Sequence, residues 1–365
     1  MSTKVLIIAE AGVNHNGSLE RAIQMVDVAK ECGADIVKFQ TFSADKLARK
    51  DAQLAEYQKT GSGDTRSQWD LLKGLELSHG EFAALRDHCK KIGIGFLSTG
   101  FDLDELQFLI DELHIPLVKV ASGDLTFAPM LFEAGLSGLP VILSTGMADL
   151  DEIEQALRFI AVGIGVHAGV LEVETVPTAA VLASAWEDAR IQSLMKSRVT
   201  VLHCTTQYPA EFDILNLKAI EVIAERFGLP VGYSDHSLGT LASVLAVGLG
   251  ATVHDVGRER GVGAGVEMLG RHRRQVLDGV PDAFGVEQRG LQFIRQSRGF
   301  DLRAPDVIDA RPREDGSRVD LFVQHWPIEW VRWDSLLRCY VTQHDIANMA
   351  LFTRAALGLL DEALG

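Results

Sequence analysis

Long apolar runs are missing from this 365-residue chain, and no stretch reaches the ~20 apolar residues of a membrane span. The run from Val5 to Ala9 is broken by Glu10, too short for the hydrophobic region of a signal peptide. A soluble, cytoplasmic protein with no membrane partner is therefore expected. Cysteine is scarce: Cys32, Cys89, Cys204 and Cys339 are widely separated and form no CxxC pair, which reads as reduced thiols and argues against a disulfide framework. Positive charge is also short. A formal net charge of -15 argues against nucleic acid as a partner, although a few lysines still suffice to hold a small anionic substrate. No GxGxxG follows the first apolar run, which counts against a doubly wound dinucleotide-binding sheet.

What is present is ordinary globular composition, 47% hydrophobic and 23% charged, enough for one domain of roughly 250 residues and an extra piece. Short β-branched runs alternate with amphipathic stretches. Strands are expected at 5–9, 35–39, 95–97, 117–120, 141–143, 199–203, 230–233 and 251–253. Helices are expected at 19–32, 79–92, 104–113, 129–135, 150–162, 214–227 and 241–248. Continuously apolar strands separated by helices imply a covered parallel sheet, and eight such units imply an α/β fold of the TIM (β/α)8 barrel type. Two insertions interrupt the pattern: 41–77, carrying Tyr57, Arg66 and Trp69 on the side where barrel sites form, and 163–197, which contains an expected helix at 179–196.

Beyond the eighth unit the composition changes. All twelve lysines lie at or before Lys218, while Arg258, Arg260, Arg271, Arg273 and Arg274 crowd a Gly/Val-rich segment, and Trp326, Trp330 and Trp333 fall together. Residues 299–318 read as a linker and 341–364 as a final amphipathic helix. The expected domains are a barrel over residues 1–283 and a divergent region over 284–365.

The strand ends are polar in a consistent way. They carry Glu10 and Asn14; Lys38 and Gln40; Ser98 and Thr99; Lys119, Ser122 and Asp124; Ser144 and Thr145; His203, Cys204, Thr206 and Tyr208; and Ser234, Asp235 and His236. Singly, each reads equally as a cap or a satisfied core group, and Ser234, Asp235 and Ser237 are good N-caps. Together, seven strand ends meeting at one rim describe an anion pocket, with two lysines supplying charge and Ser, Thr and backbone N–H groups supplying direction. An aldolase with a Schiff-base lysine at Lys38 or Lys119 is the less favoured chemistry, because the surrounding hydroxyls and glycines suit phosphate better.

The runs Ile8-Ala9-Glu10-Ala11-Gly12-Val13-Asn14-His15-Asn16-Gly17, Val37-Lys38-Phe39-Gln40-Thr41, Lys119-Val120-Ala121-Ser122-Gly123-Asp124, Leu143-Ser144-Thr145-Gly146-Met147 and Gly232-Tyr233-Ser234-Asp235-His236 resemble the sialic acid synthase family. The resemblance covers residues 4–253, in order, and extends to legionaminate, pseudaminate and spore-coat polysaccharide relatives. It implies a transferase that condenses phosphoenolpyruvate with an N-acyl amino sugar such as N-acetylmannosamine, giving a nine-carbon α-keto acid and phosphate. It further implies a divalent metal, Mn2+ or Mg2+, that polarises the sugar aldehyde. By motif position, Lys38 and Lys119 would bind phosphoenolpyruvate with Thr99, Ser122, Ser144 and Ser234, and Asn14, Gln40, Thr206 and Tyr208 join the substrate-binding set. Glu10 would act as an acid, base or water-orienting carboxylate. Asp124 would contact the sugar, and His236 would be the first metal ligand.

The pattern departs from that family after residue 253. The family has a Glu-Lys/Arg-His motif whose His is the second metal ligand; here His254, Asp255, Val256 and Gly257 follow, with Gly257 at the ligand position and His254 or Asp255 as substitutes. The family's C-terminal antifreeze-like domain, which in a homodimer lends an arginine to the partner's sugar pocket, has no recognisable counterpart. Two accounts stand: a native divergent tail, or an altered reading frame. Two functional expectations follow, a synthase or a phosphoenolpyruvate-binding pseudoenzyme that has lost its metal site.

Overall fold

The computed structural model describes residues 5–52, 67–173 and 177–257 and the backbone of residues 308–312 and 319–323. Eight parallel strands line the first unit: β1 (Leu6–Gly12), β2 (Ile36–Thr41), β3 (Gly95–Gly100), β4 (Val118–Val120), β5 (Val141–Ser144), β6 (Val199–Cys204), β7 (Val231–Asp235) and β8 (Val253–Gly257). Their order, β3-β2-β1-β8-β7-β6-β5-β4, carries one ladder almost all the way round. The closure lies between β1 and β8, paired from Leu6 with Val253 to Glu10 with Gly257, and the seam between β3 and β4 has no ladder. This is the expected TIM-like α/β barrel.

Helices α1 (Leu19–Glu31), α2 (Ala44–Leu47), α3 (Gln68–Lys73), α4 (His79–Ile92), α5 (Leu103–Asp111), α6 (Ala128–Leu136), α7 (Leu150–His167), α8 (Ala179–Glu187), α9 (Ala189–Arg198), α10 (Ala219–Phe227) and α11 (Leu241–Gly248) form the outer layer. Each of the long ones buries an apolar stripe, such as Ala22, Val26 and Ala29 on α1 and Ile153, Leu157, Ile160 and Ile164 on α7. Reciprocal capping boxes, Ser78 with Glu81 and Asp149 with Glu152, start α4 and α7. No described helix is long and apolar enough to cross a membrane.

Several boundaries differ from expectation for identifiable reasons. Strands β1, β2, β3, β6, β7 and β8 run one to four residues further than their apolar runs, because the polar residues that follow point into the barrel and stay in the ladder. The expected helix 179–196 is two helices. It breaks at Asp188, which takes an extended backbone and caps α9 by accepting from the Arg190 and Ile191 amides. Helix α10 starts only at Ala219, after Asn216 adopts a left-handed φ of 45°. In the second unit, where a linker is expected at 299–318, β9 (Ile308–Pro312) pairs antiparallel with β10 (Val319–Val323). Tyr57, Arg66, Cys339, the three clustered tryptophans and the expected helix 341–364 lie outside the described residues.

Candidate active site

Residues paired across parallel strands face the same way, and successive residues alternate. Pairing therefore aims one set of polar side chains into the barrel: Glu10 opposite Lys38, Gln40 opposite Thr99, and Cys204 opposite Ser234, itself opposite Asp255. Lys38 and Lys119 are both buried, 5% and 6% exposed, so their ammonium groups must find partners inside the protein. Lys38 Nζ lies against Glu10 Oε2 and 3.5 Å from Asp255 Oδ2. Lys119 Nζ lies 3.7 Å from the same Asp255 oxygen and donates to Ser144 Oγ at 2.7 Å.

Burial drives the Lys38 ammonium down to about 8; Asp255 opposes this and Lys119 reinforces it. Burial pushes the Asp255 carboxyl up, but Lys38, Lys119 and His236 outweigh it and the net direction is down. Lys38 and Asp255 thus favour the charged pair at neutral pH.

A second group of polar atoms gathers around Gly146, just past β5. Its amide donates to Ser122 Oγ at 2.9 Å, and Ser122 Oγ lies 3.1 Å from Cys204 Sγ. A Cβ at residue 146 would meet Thr206 Oγ1 at 2.5 Å, Ser122 Oγ at 3.0 Å and Cys204 Sγ at 3.1 Å, so only glycine lets the three converge. Asp124 closes the short 3-10 turn after β4. Burial raises its carboxyl to about 6 against the pull of Lys119, and its Oδ2 is buried with no hydrogen-bond partner among the described residues.

The His236 ring is fixed from several sides. Nδ1 lies 2.7 Å from the Thr205 carbonyl, which can only accept, so Nδ1 carries the proton and Nε2 presents its lone pair beside Ser234 Oγ at 3.3 Å. Burial lowers its basicity, and the Tyr208 ring lies 4.2 Å away, centroid to centroid. Asp235 points to the opposite face and ties down the loop, accepting from the Ser237 amide at 2.8 Å, from Ser237 Oγ at 2.7 Å and from Ser243 Oγ on α11.

The structure brings Glu10, Lys38, Lys119 and Ser144 into direct contact around Asp255, and Ser122, Thr206 and Cys204 around Gly146. Gln40 adjoins Glu10 across Gly12, where a Cβ would meet Glu10 Oε1 at 3.0 Å and Gln40 Nε2 at 3.6 Å. Asn14 stands in the β1–α1 loop four residues past Glu10. Sequence reasoning gave Asp255 no part in the anion pocket, because the eighth strand was expected to stop at 253; alternation continued by two residues would have turned it inward. Cys204 was read as a reduced thiol and as one of the polar strand-end residues, without a particular partner.

His236 has the tautomer of a metal ligand. The second position holds Gly257, where a Cβ would meet Glu10 Cβ at 2.7 Å. His254 turns to the other face, with its ring 5.9 Å from that of Tyr233, and Asp255 is committed to the lysines. No three His, Cys, Asp or Glu residues gather as metal ligands among the described residues. This donor set does not fit the two-imidazole metal that the resemblance implies.

Fold and site together define a parallel (β/α)8 barrel with paired lysines and carboxylates at its carboxyl-terminal strand ends. The chain belongs to the NeuB family, whose family model matches residues 25–255. It is 42% identical over 252 residues to the N,N'-diacetyllegionaminic acid synthase of Legionella pneumophila, covering 69% of this chain and 63% of that protein, less than two thirds of its length. It is 36% identical over 313 residues to the N,N'-diacetyllegionaminic acid synthase of Campylobacter jejuni, covering 80% and 84%. The crystal structure of an N-acetylneuraminic acid synthetase from Leptospira borgpetersenii is similar with a TM-score of 0.60 at 27% identity, covering 81% of this chain and 93% of that one.

Proposed function

We propose that the chain condenses phosphoenolpyruvate with an N-acyl amino sugar aldehyde to give a sialic-type α-keto acid and phosphate. One observation carries the reading: two buried lysines from β2 and β4 converge on a single point, as a ligand bearing both carboxylate and phosphate requires. Ser144, Ser122, Thr99 and Ser234 give that ligand direction. Asp124, with its buried free oxygen, accepts from a sugar hydroxyl.

In the reaction, the methylene carbon of phosphoenolpyruvate bonds to the aldehyde carbon, whose oxygen gains a proton. Water, oriented by Glu10, adds at the enol carbon; as the C–O bond to phosphate breaks and the keto group forms, one water proton balances that taken up by the former aldehyde oxygen and the other leaves with phosphate. The lysines hold the anion throughout and offset the charge left on the departing phosphate.

The test is phosphate release from phosphoenolpyruvate with a panel of N-acyl hexosamines, in buffer supplied with Mn2+, beside Lys119→Met. Release with at least one sugar, falling about a hundredfold in the variant, is expected. A second reading, binding of phosphoenolpyruvate without turnover, is favoured by Gly257 packed on Glu10. Tight binding with no release for any sugar selects it, and no binding at all removes both.

A further inference from the structure

We propose that Asp255 is a positioning residue: its carboxylate draws the Lys38 and Lys119 ammonium groups onto one point, so that the two grip the two ends of one anion instead of two separate anions. The proposal rests on the phosphoenolpyruvate reading above and says what makes the lysine pair selective. Lys38 comes from β2, Lys119 from β4 and Asp255 from β8, so the three meet across the barrel interior and not along one ladder. Both ammonium groups approach the same oxygen, Oδ2, at 3.5 Å and 3.7 Å. Two like charges brought that close in a buried site repel, and each lysine is long enough to swing away unless an anion holds it.

Each lysine has one further tether, Glu10 for Lys38 and Ser144 for Lys119, but neither tether links the two. Asp255 alone does so among the described residues. The other carboxylate oxygen, Oδ1, is buried and accepts no hydrogen bond there, so Asp255 caps no turn and secures no loop. Asp235, one strand away, does both. The two inward- and outward-facing carboxylates divide the work: one anchors backbone, the other aims charge.

Calorimetric binding of phosphoenolpyruvate and of inorganic phosphate to the 365-residue chain tests this in wild type, Asp255→Asn and Asp255→Glu. Wild type is expected to prefer phosphoenolpyruvate by at least about tenfold, since its carboxylate and its phosphate give each lysine an anionic group of its own, whereas inorganic phosphate must share one group between them. In Asp255→Asn the preference should fall to near unity while phosphate affinity changes less than about threefold; Asp255→Glu should keep part of the preference. An unchanged preference overturns the proposal, and so does an equal loss of both affinities. Should Asp255→Asn not fold, Asp255→Glu decides, and full retention of the wild-type preference there overturns it.

Failure of wild type to bind either anion would refute the functional reading by itself. Asp255 is then judged without ligand, by the pH dependence of Lys38 acetylation with acetic anhydride followed by mass spectrometry. Removing the carboxylate should shift Lys38 reactivity down by about one pH unit, and no shift overturns the proposal.

Discussion

Two buried lysines and two buried or half-buried carboxylates meet at the strand ends, so the protein's own charges at the site are close to balanced. That balance makes a cluster of four ionised groups tolerable inside a barrel; removing one partner leaves the others uncompensated. Asp124 stands outside the balance. Its carboxyl, raised to about 6 by burial with Lys119 opposing, is ionised at pH 7 and largely protonated at pH 5. A carboxylate that accepts from a sugar hydroxyl loses that capacity on protonation, so the KM for the sugar should rise about tenfold between pH 7 and pH 5. Asp124→Asn should flatten this profile and leave the KM for phosphoenolpyruvate unchanged. A wild-type sugar KM that is level from pH 7 to pH 5 would count against the assignment.

At the scale of elements, α6 and α7 pack closely, where Gly135 and Gly163 bring backbones together. A Cβ at Gly163 would collide with the Phe132 carbonyl oxygen, and one at Gly135 with the Ile160 carbonyl oxygen. Gly163→Ala should therefore cost about 1–3 kcal/mol through overpacking, read as a lower Tm. Gly80→Ala, in a helix with open space at that position, should be neutral or stabilising. Equal Tm changes for the two would show that the contact does not matter. The same elements show what was legible beforehand. Eight strands and most helices were readable because apolar spacing reports burial directly. The strand ends were not, because a lysine or aspartate facing a polar barrel interior looks identical to one leaving the sheet. Lys38, Lys119 and His236 stood out through the motifs around them, whereas the role of Asp255 depended on a register that no local pattern carries. Asp188 failed for another reason, since a capping aspartate inside an apolar-periodic run changes that period little.

For the whole molecule, acid should unfold the barrel earlier than its carboxylates alone would dictate, because two imidazoles are buried uncharged. His254, fully buried with its ring near Tyr233, has its pKa lowered from 6.5 to about 4 by burial, partly opposed by Asp255. His15, 1% exposed beside Phe39, is likewise lowered to about 4 by burial, with Glu81 opposing and Arg21 assisting. In the unfolded chain both titrate near 6.5. Between pH 6.5 and about 4 the unfolded state therefore binds protons that the folded state refuses, so stability falls as the pH is lowered through this window and the loss saturates below it. At about 1.4 kcal/mol per pKa unit, His254 alone contributes a loss on the order of 3 kcal/mol. His254 lies on the strand face away from the lysines, so His254→Gln separates this effect from the chemistry of the site. The variant should start less stable at pH 7 but lose less between pH 7 and pH 4.5 than wild type, in urea midpoints measured at both values. His254→Gln/His15→Gln should flatten the curve further. A wild-type and variant pair whose midpoints fall in parallel would show that the acid sensitivity comes from the carboxylate and lysine cluster and not from the buried imidazoles.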